Sequence, residues 1–170
     1  MSGHSKWSKI KRQKALTDKK RGQLFSKISK LISLAARKGA NQETNLELKD
    51  AIEKARSVNM PNDNIQRAIN KVSDKSTQLE ELSIEAIGPG GIALKIRAIT
   101  DNRNRTIAEI KKIFSDHGSK IVPPGSISWM FNQPVTIEDP NIRTQIDKLF
   151  EALDDNDDVE DVASNLQEQI

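Results

Sequence analysis

The chain has 170 residues, of which 35% are apolar, 30% charged and only 4% aromatic, with no cysteine and no tyrosine. A chain of this length buries roughly 70% of its unfolded surface without staples, and here that core must be built mostly from Ile, Leu, Val and Ala. The lack of cysteine excludes a disulfide framework, a thiolate nucleophile and sulfur-ligated zinc, and two histidines, His4 and His117, are too few for a histidine metal cage or a Ser-His-Asp relay.

The net charge of +3 conceals a strong gradient. Residues 1–38 hold 12 Lys/Arg against one acid, whereas residues 134–170 hold two against eleven. Such asymmetry marks a polyanion-binding end and an acidic end that polyanions avoid. The apolar stretch at residues 31–36 falls far short of the 18 or more needed to cross a bilayer, and no apolar signal core follows the positive N-terminus. A cytoplasmic, monomeric protein without membrane contact is expected.

Taken in chain order, residues 1–22 show no apolar period and read as a flexible basic arm. From Leu24 onward, Ile28, Leu31, Ile32 and Ala35 fall on one helical face, with Gly39 as the stop. Thr44 and Glu47 fit a capping box for a second helix burying Leu48, Ala51, Ile52 and Ala55. After Met60-Pro61, a third helix carries Ile65, Ala68, Ile69 and Val72 at i, i+3, i+4, i+7. Each is too short to stand alone, so residues 23–75 form a three-helix domain. A polar linker at residues 76–82 follows.

The period then changes to two. Leu82, Ile84 and Ala86, then Ile92, Leu94, Ile96 and Ala98, alternate around Gly88-Pro89-Gly90-Gly91 as a β-hairpin. Residues 106–117 read as an amphipathic helix, residues 126–131 and 135–137 as strands, and Asp139-Pro140 as the cap and first residue of a last helix. A short strand at residues 159–163 closes residues 83–170 as a small sheet with two helices on one face. The predicted fold class is α+β.

Few motifs suggest catalysis. Gly88-Pro-Gly-Gly lacks the Lys-Ser/Thr of a phosphate loop and joins two strands, so its glycines serve a turn. The run Asp154-Asp155-Asn156-Asp157-Asp158 lacks the glycine and terminal glutamate of a calcium loop and reads as a solvated connection. No carboxylate pair, nucleophile elbow or metal set emerges, so the expectation is a protein that is not an enzyme and uses no metal or cofactor.

The basic arm is the strongest functional signal. Lys6, Lys9, Lys11, Arg12, Lys14, Lys19, Lys20 and Arg21 surround Trp7, with His4 just before it. Lysine and arginine neutralise phosphates and release counterions, and an indole stacks on a base. A second cluster pairs Lys95 and Arg97 on one strand face with Arg103 and Arg105 at a helix start. The helix dipole disfavours cations there and favours phosphate, which suggests a bound anion. Alternatively, Asn104 caps the helix and the arginines pair with local acids.

Several motifs occur together and in order: Gly3-His4-Ser5-Lys6-Trp7, Lys19-Lys20-Arg21-Gly22 with Phe25, and Asn59-Met60-Pro61 with Asn64-Ile65-Gln66-Arg67-Ala68-Ile69. They continue with Gly88-Pro89-Gly90-Gly91, Asp101-Asn102-Arg103-Asn104-Arg105-Thr106 and Gly125-Ser126-Ile127-Ser128-Trp129-Met130-Phe131. In this set the chain resembles the YebC family. The resemblance implies a helical domain and two α/β domains, one inserted in the other, without a cofactor. It also implies a nucleic-acid-binding regulator of gene expression. Members are labelled probable transcriptional regulators that bind DNA, mitochondrial relatives resemble translational activators, and bacterial members have been connected to ribosomes stalled on proline-rich stretches. DNA, ribosomal RNA and the ribosome itself are therefore the implied partners. After about residue 132 the chain departs from the pattern, because Asn132-Gln133-Pro134 leads almost directly into Val135-Thr136-Ile137; a short form without the inserted domain is expected. The rival reading from another class is an adaptor whose basic arm docks an acidic protein.

Overall fold

The computed structural model describes residues 17–73 and 78–167, which divide into two compact units at about residue 80. The first unit is helical. Helix α1 (Asp18–Ala36) begins six residues before the apolar spacing at Leu24, because Thr17 caps it by accepting from the Lys20 N–H. Helix α2 (Leu46–Ser57) and helix α3 (Asn62–Asn70) pack on it, and Ile28, Ile32, Leu48, Ile52, Ile65 and Ile69 meet in one core.

The cap of α2 is Asn45, not Thr44. Its Oδ1 accepts from the Leu48 N–H at 3.1 Å, while its Nδ2 donates to the carbonyls of Ala35 at 2.8 Å and Gly39 at 2.7 Å. One buried amide thus satisfies orphan groups at the end of α1 and the start of α2 together, which a hydroxyl cannot do. Glu47 does not reach back; it pairs with Lys38 at 2.6 Å. Helix α2 ends on Asn59 at φ 59°, with Asn59 N–H donating to Arg56 and Met60 N–H to Ala55. This is the two-bond pattern of a Schellman stop, and the buried Met60 supplies its apolar contact. Val72 does not continue the α3 stripe. The chain tightens into a 3₁₀ turn at Lys71–Ser73, which rotates Val72 out to 38% exposure.

The second unit is a four-stranded antiparallel sheet with order β3-β1-β2-β4, formed by β1 (Glu80–Ile87), β2 (Ala93–Thr100), β3 (Lys120–Val122) and β4 (Val159–Ser164). Helices α4 (Arg103–Asp116) and α5 (Pro140–Asp155) cover one face, so the fold class is α+β. Ile110, Phe114, Ile146, Leu149, Phe150 and Leu153 pack there on Leu82, Ala86, Leu94 and Ile96. At the β1–β2 turn, Gly90 and Gly91 adopt φ of 72° and 76°. A Cβ on Gly90 would also lie 2.7 Å from Ile137 Cδ1, so both dihedral and space require glycine. Pairing of β2 with β4 runs from Leu94 opposite Ser164 to Ala98 opposite Val159, with a bulge between Arg97 and Ala98.

Four expectations for this unit are corrected. Helix α4 starts at Arg103 rather than Thr106, capped by Asn102, whose Oδ1 accepts from the Arg105 N–H at 3.1 Å; Asn104 is inside the helix. Residues 126–131 are not a strand: Ser128–Asn132 is a 3₁₀ turn. Residues 135–137 contribute only an isolated parallel bridge from Val135 to Leu166. The extra strand is β3, which pairs Glu85 with Val122 and Ile87 with Lys120. The cause lies in residues 123–133. Two prolines carry no N–H, and side chains take up backbone groups that a ladder would have used: Glu85 Oε2 accepts from Gly125 N–H at 2.8 Å, and Asn165 Nδ2 donates to the carbonyls of Met130 at 3.2 Å and Gln133 at 3.0 Å. Among the described residues, no helix is long and apolar enough to cross a membrane.

Candidate nucleic-acid interface

His4, Lys6, Trp7, Lys9, Lys11, Arg12 and Lys14 lie outside the described residues. The remaining candidates fall into two groups, one in each unit.

Lys19, Lys20 and Arg21 are not part of an irregular arm; they form the exposed first turn of α1. The backbone N–H groups of a helix start carry partial positive charge, so three cations there add to the field instead of cancelling it. The acid nearest in sequence is Asp18, 3.9 Å from Arg21, with both side chains largely in solvent. A contact of that length and exposure holds the arginine weakly. The positive potential of this turn therefore faces outward, the arrangement that receives phosphate oxygens.

The second group is differently placed. Lys95 is exposed on the sheet face opposite Leu94 and Ile96. Arg97 lies on the same face, and its fork grips Glu81, Nε to Oε1 at 2.8 Å and Nη2 to Oε2 at 3.1 Å. That hydrogen-bonded carboxylate holds the guanidinium above its ordinary range. Asp161 sits opposite Arg97 in the sheet register.

Arg103 is exposed at the first position of α4. Arg105 is drawn into a carboxylate cluster: Nη2 lies 2.9 Å from Asp158 Oδ2 and 2.9 Å from Asp101 Oδ1, and 3.4 Å from Thr100 Oγ1. Its pKa is raised, chiefly by the Asp158 hydrogen bond and then by Asp101. The same Asp158 oxygen accepts from Thr106 Oγ1 at 2.6 Å, and the Asp158 backbone carbonyl accepts from Ile99 N–H at 2.8 Å. Of the two sequence-level readings for this helix start, pairing with acids is the one Arg105 adopts, although the decisive acid is 53 residues away. Asp158 belongs to the acidic run read as a solvated connection, yet its side chain is only 7% exposed. A signal for it exists in the sequence: it immediately precedes the apolar Val159, where the strand begins.

Among the described residues, no group of three His, Asp or Glu side chains could hold a metal ion.

Comparison with known proteins gives a consistent result. Residues 5–75 match the TACO1/YebC protein N-terminal domain, and residues 79–140 match the TACO1/YebC second and third domain. A probable transcriptional regulatory protein of Trichodesmium erythraeum is 51% identical over 136 residues, covering 78% of this chain and 54% of the relative. One of the same description from Chloroflexus aurantiacus is 48% identical over 155 residues, covering 88% and 62%. The chain thus spans between half and two-thirds of the length of these relatives. Among solved structures, a conserved hypothetical protein of Aquifex aeolicus superposes with a TM-score of 0.84 at 29% identity, covering 98% of this chain and 99% of that one.

Proposed function

Because the chain belongs to the TACO1/YebC family, we propose that it is a non-enzymatic regulator of gene expression that binds nucleic acid through its basic N-terminal region. The observation carrying this reading is the exposed Lys19-Lys20-Arg21 turn at the positive end of α1, which directly follows the cation-rich residues 1–16. Contacts of this kind neutralise phosphates and set position without reading sequence. Lys95 adds exposed charge in the second unit, whereas Arg97 and Arg105 act first within their carboxylate pairs.

Ribosomal RNA fits better than an operator duplex. A recognition helix needs side chains free to reach base edges. On α3 these would be Asn64, Gln66, Arg67 and Asn70, and Arg67 is turned onto its own helix, donating to Asn64 Oδ1 and to the Asp63 carbonyl. DNA remains the second reading because the relatives' descriptions name transcription.

The test is the salt dependence of binding. If six to eight phosphates are neutralised, log K falls against log salt with a slope of roughly −4 to −7. Titrations of labelled RNA and DNA measure it, and a slope near zero would remove the phosphate-binding reading. In cells, crosslinking followed by sequencing distinguishes ribosomal RNA from promoter DNA.

A further inference from the structure

Trp129 is one of only two tryptophans in a chain without tyrosine, and it stands 59% exposed in the 3₁₀ turn Ser128–Asn132. Its one polar atom is already occupied: indole Nε1–H donates to the Ser126 carbonyl at 3.1 Å. What the ring offers to solvent is therefore its carbon surface. Single exposed apolar residues are common on protein surfaces, but the way this one is mounted is not ordinary. Two buried polar side chains hold the backbone that carries it. Glu85, 7% exposed, accepts from Gly125 N–H at 2.8 Å, on the approach to the turn. Asn165, 6% exposed, donates to the carbonyls of Met130 and Gln133 beyond the ring while its Oδ1 accepts from Ala93 N–H at 2.8 Å. Between them Ile127 is buried as an anchor. The ring is thus fixed on a rigid mount, with little conformational entropy left to lose when something covers it.

Charge indicates what would cover it. Residues 81–170 hold sixteen of the 24 acids, yet none lies between residues 117 and 137, where Lys120 and His117 are the only ionisable side chains. Along the chain the ring is flanked by the exposed Ser126, Ser128, Asn132 and Gln133, with the half-buried Met130 and Phe131 next to it and exposed prolines at 123, 124 and 134. Trp129 is the one large apolar side chain of the described second unit that stands exposed, which is less than the contiguous patch an apolar protein partner needs. A lone exposed indole in a stretch of sequence without acids suits one stacked base. We infer that Trp129 is a stacking platform for an unpaired nucleobase, an inference that rests on the nucleic-acid reading above and deepens it.

The test uses the full chain labelled with 5-fluorotryptophan, whose two fluorine resonances are assigned with Trp129→Phe, together with fluorescence anisotropy of labelled 12-mer oligonucleotides at low salt. A single-stranded oligonucleotide should shift the Trp129 resonance. Trp129→Ala should weaken single-strand binding about 5- to 100-fold and duplex binding by less than about twofold, while Trp129→Phe retains most of the affinity. Thermal melts of both variants check that the exposed position leaves the fold intact. If oligonucleotides bind with the Trp129 resonance unmoved, or if the alanine variant binds as wild type or loses single strand and duplex equally, the stacking inference is overturned and the wider reading stands. If neither RNA nor DNA of either form binds at all, both fall together. Ribose and deoxyribose single strands run in parallel show which sugar the platform accepts.

Discussion

Helices α1 and α4 both open with clustered cations, and the two clusters have opposite fates. At α1 the three side chains stay in solvent, and Arg21 meets the exposed Asp18 only at 3.9 Å. At α4 the guanidinium of Arg105 is held between Asp101 and Asp158, and Thr106 binds the same buried carboxylate. The same residue types in the same local context therefore do different work. The difference is made by an acid that arrives from far along the chain. A cation at a helix start is evidence of an anion site only after the tertiary acids around it are known.

The sharpest way to break this contrast is to remove the distant acid. Asp158→Ala removes the buried carboxylate that Thr106 and Arg105 share, leaving Arg105 with Asp101 and Thr106 with its bonds to Thr100 and the Asn102 carbonyl, and should cost about 2 kcal/mol in urea unfolding. Arg105→Gln should cost less, about 1 kcal/mol, because the arginine is 44% exposed and solvent screens its pairing. On the binding side the order reverses. Replacing Lys19, Lys20 and Arg21 together by serine should leave stability nearly unchanged and flatten the salt slope by roughly 2 to 3, while Arg105→Gln should move the slope by less than about 0.5. Equal slope changes for the two variants would erase the distinction.

The smallest effect lies at the far end of α4. Asp116 is held below its ordinary carboxylate range, first by its hydrogen bond from Lys112 Nζ at 2.7 Å. A depressed folded-state pKa adds stability that is present above the unfolded value and is lost as pH falls through the folded one. Both groups are exposed, so the stability change is slight and NMR titration is the suitable measurement. Lys112→Ala should return the Asp116 carboxyl toward its ordinary pKa.

What could be read beforehand was whatever local spacing encodes. The apolar faces of α1, α2 and α5, the Asp139-Pro140 start and the alternation in β1 and β2 all appear within a few residues of sequence, and they gave the α+β class. The errors share one cause. Thr44 looked like a cap because the capping box is local, but Asn45 wins through carbonyls six and ten residues back. Residues 126–131 alternate like a strand, but Asn165 and Glu85, 35 and 40 residues away from the groups they bind, take the backbone out of the ladder. At the candidate site, the charge of Lys19, Lys20 and Arg21 was legible and their helical setting was not, since the cap Thr17 lies ahead of any apolar period. Trp129 appeared only as a letter in a motif, because exposure is a property of packing.

The pairing of β4 onto β2 has a consequence for synthesis. This one strand is flanked by Asp158, which fixes the start of α4, and by Asn165, which fixes the tryptophan turn. Both the α4 start and the turn are built from residues made earlier, yet their contacts to Asp158 and Asn165 form only once positions 158–165 have left the exit tunnel. The start of α4 and the tryptophan turn therefore depend on one and the same late stretch of chain.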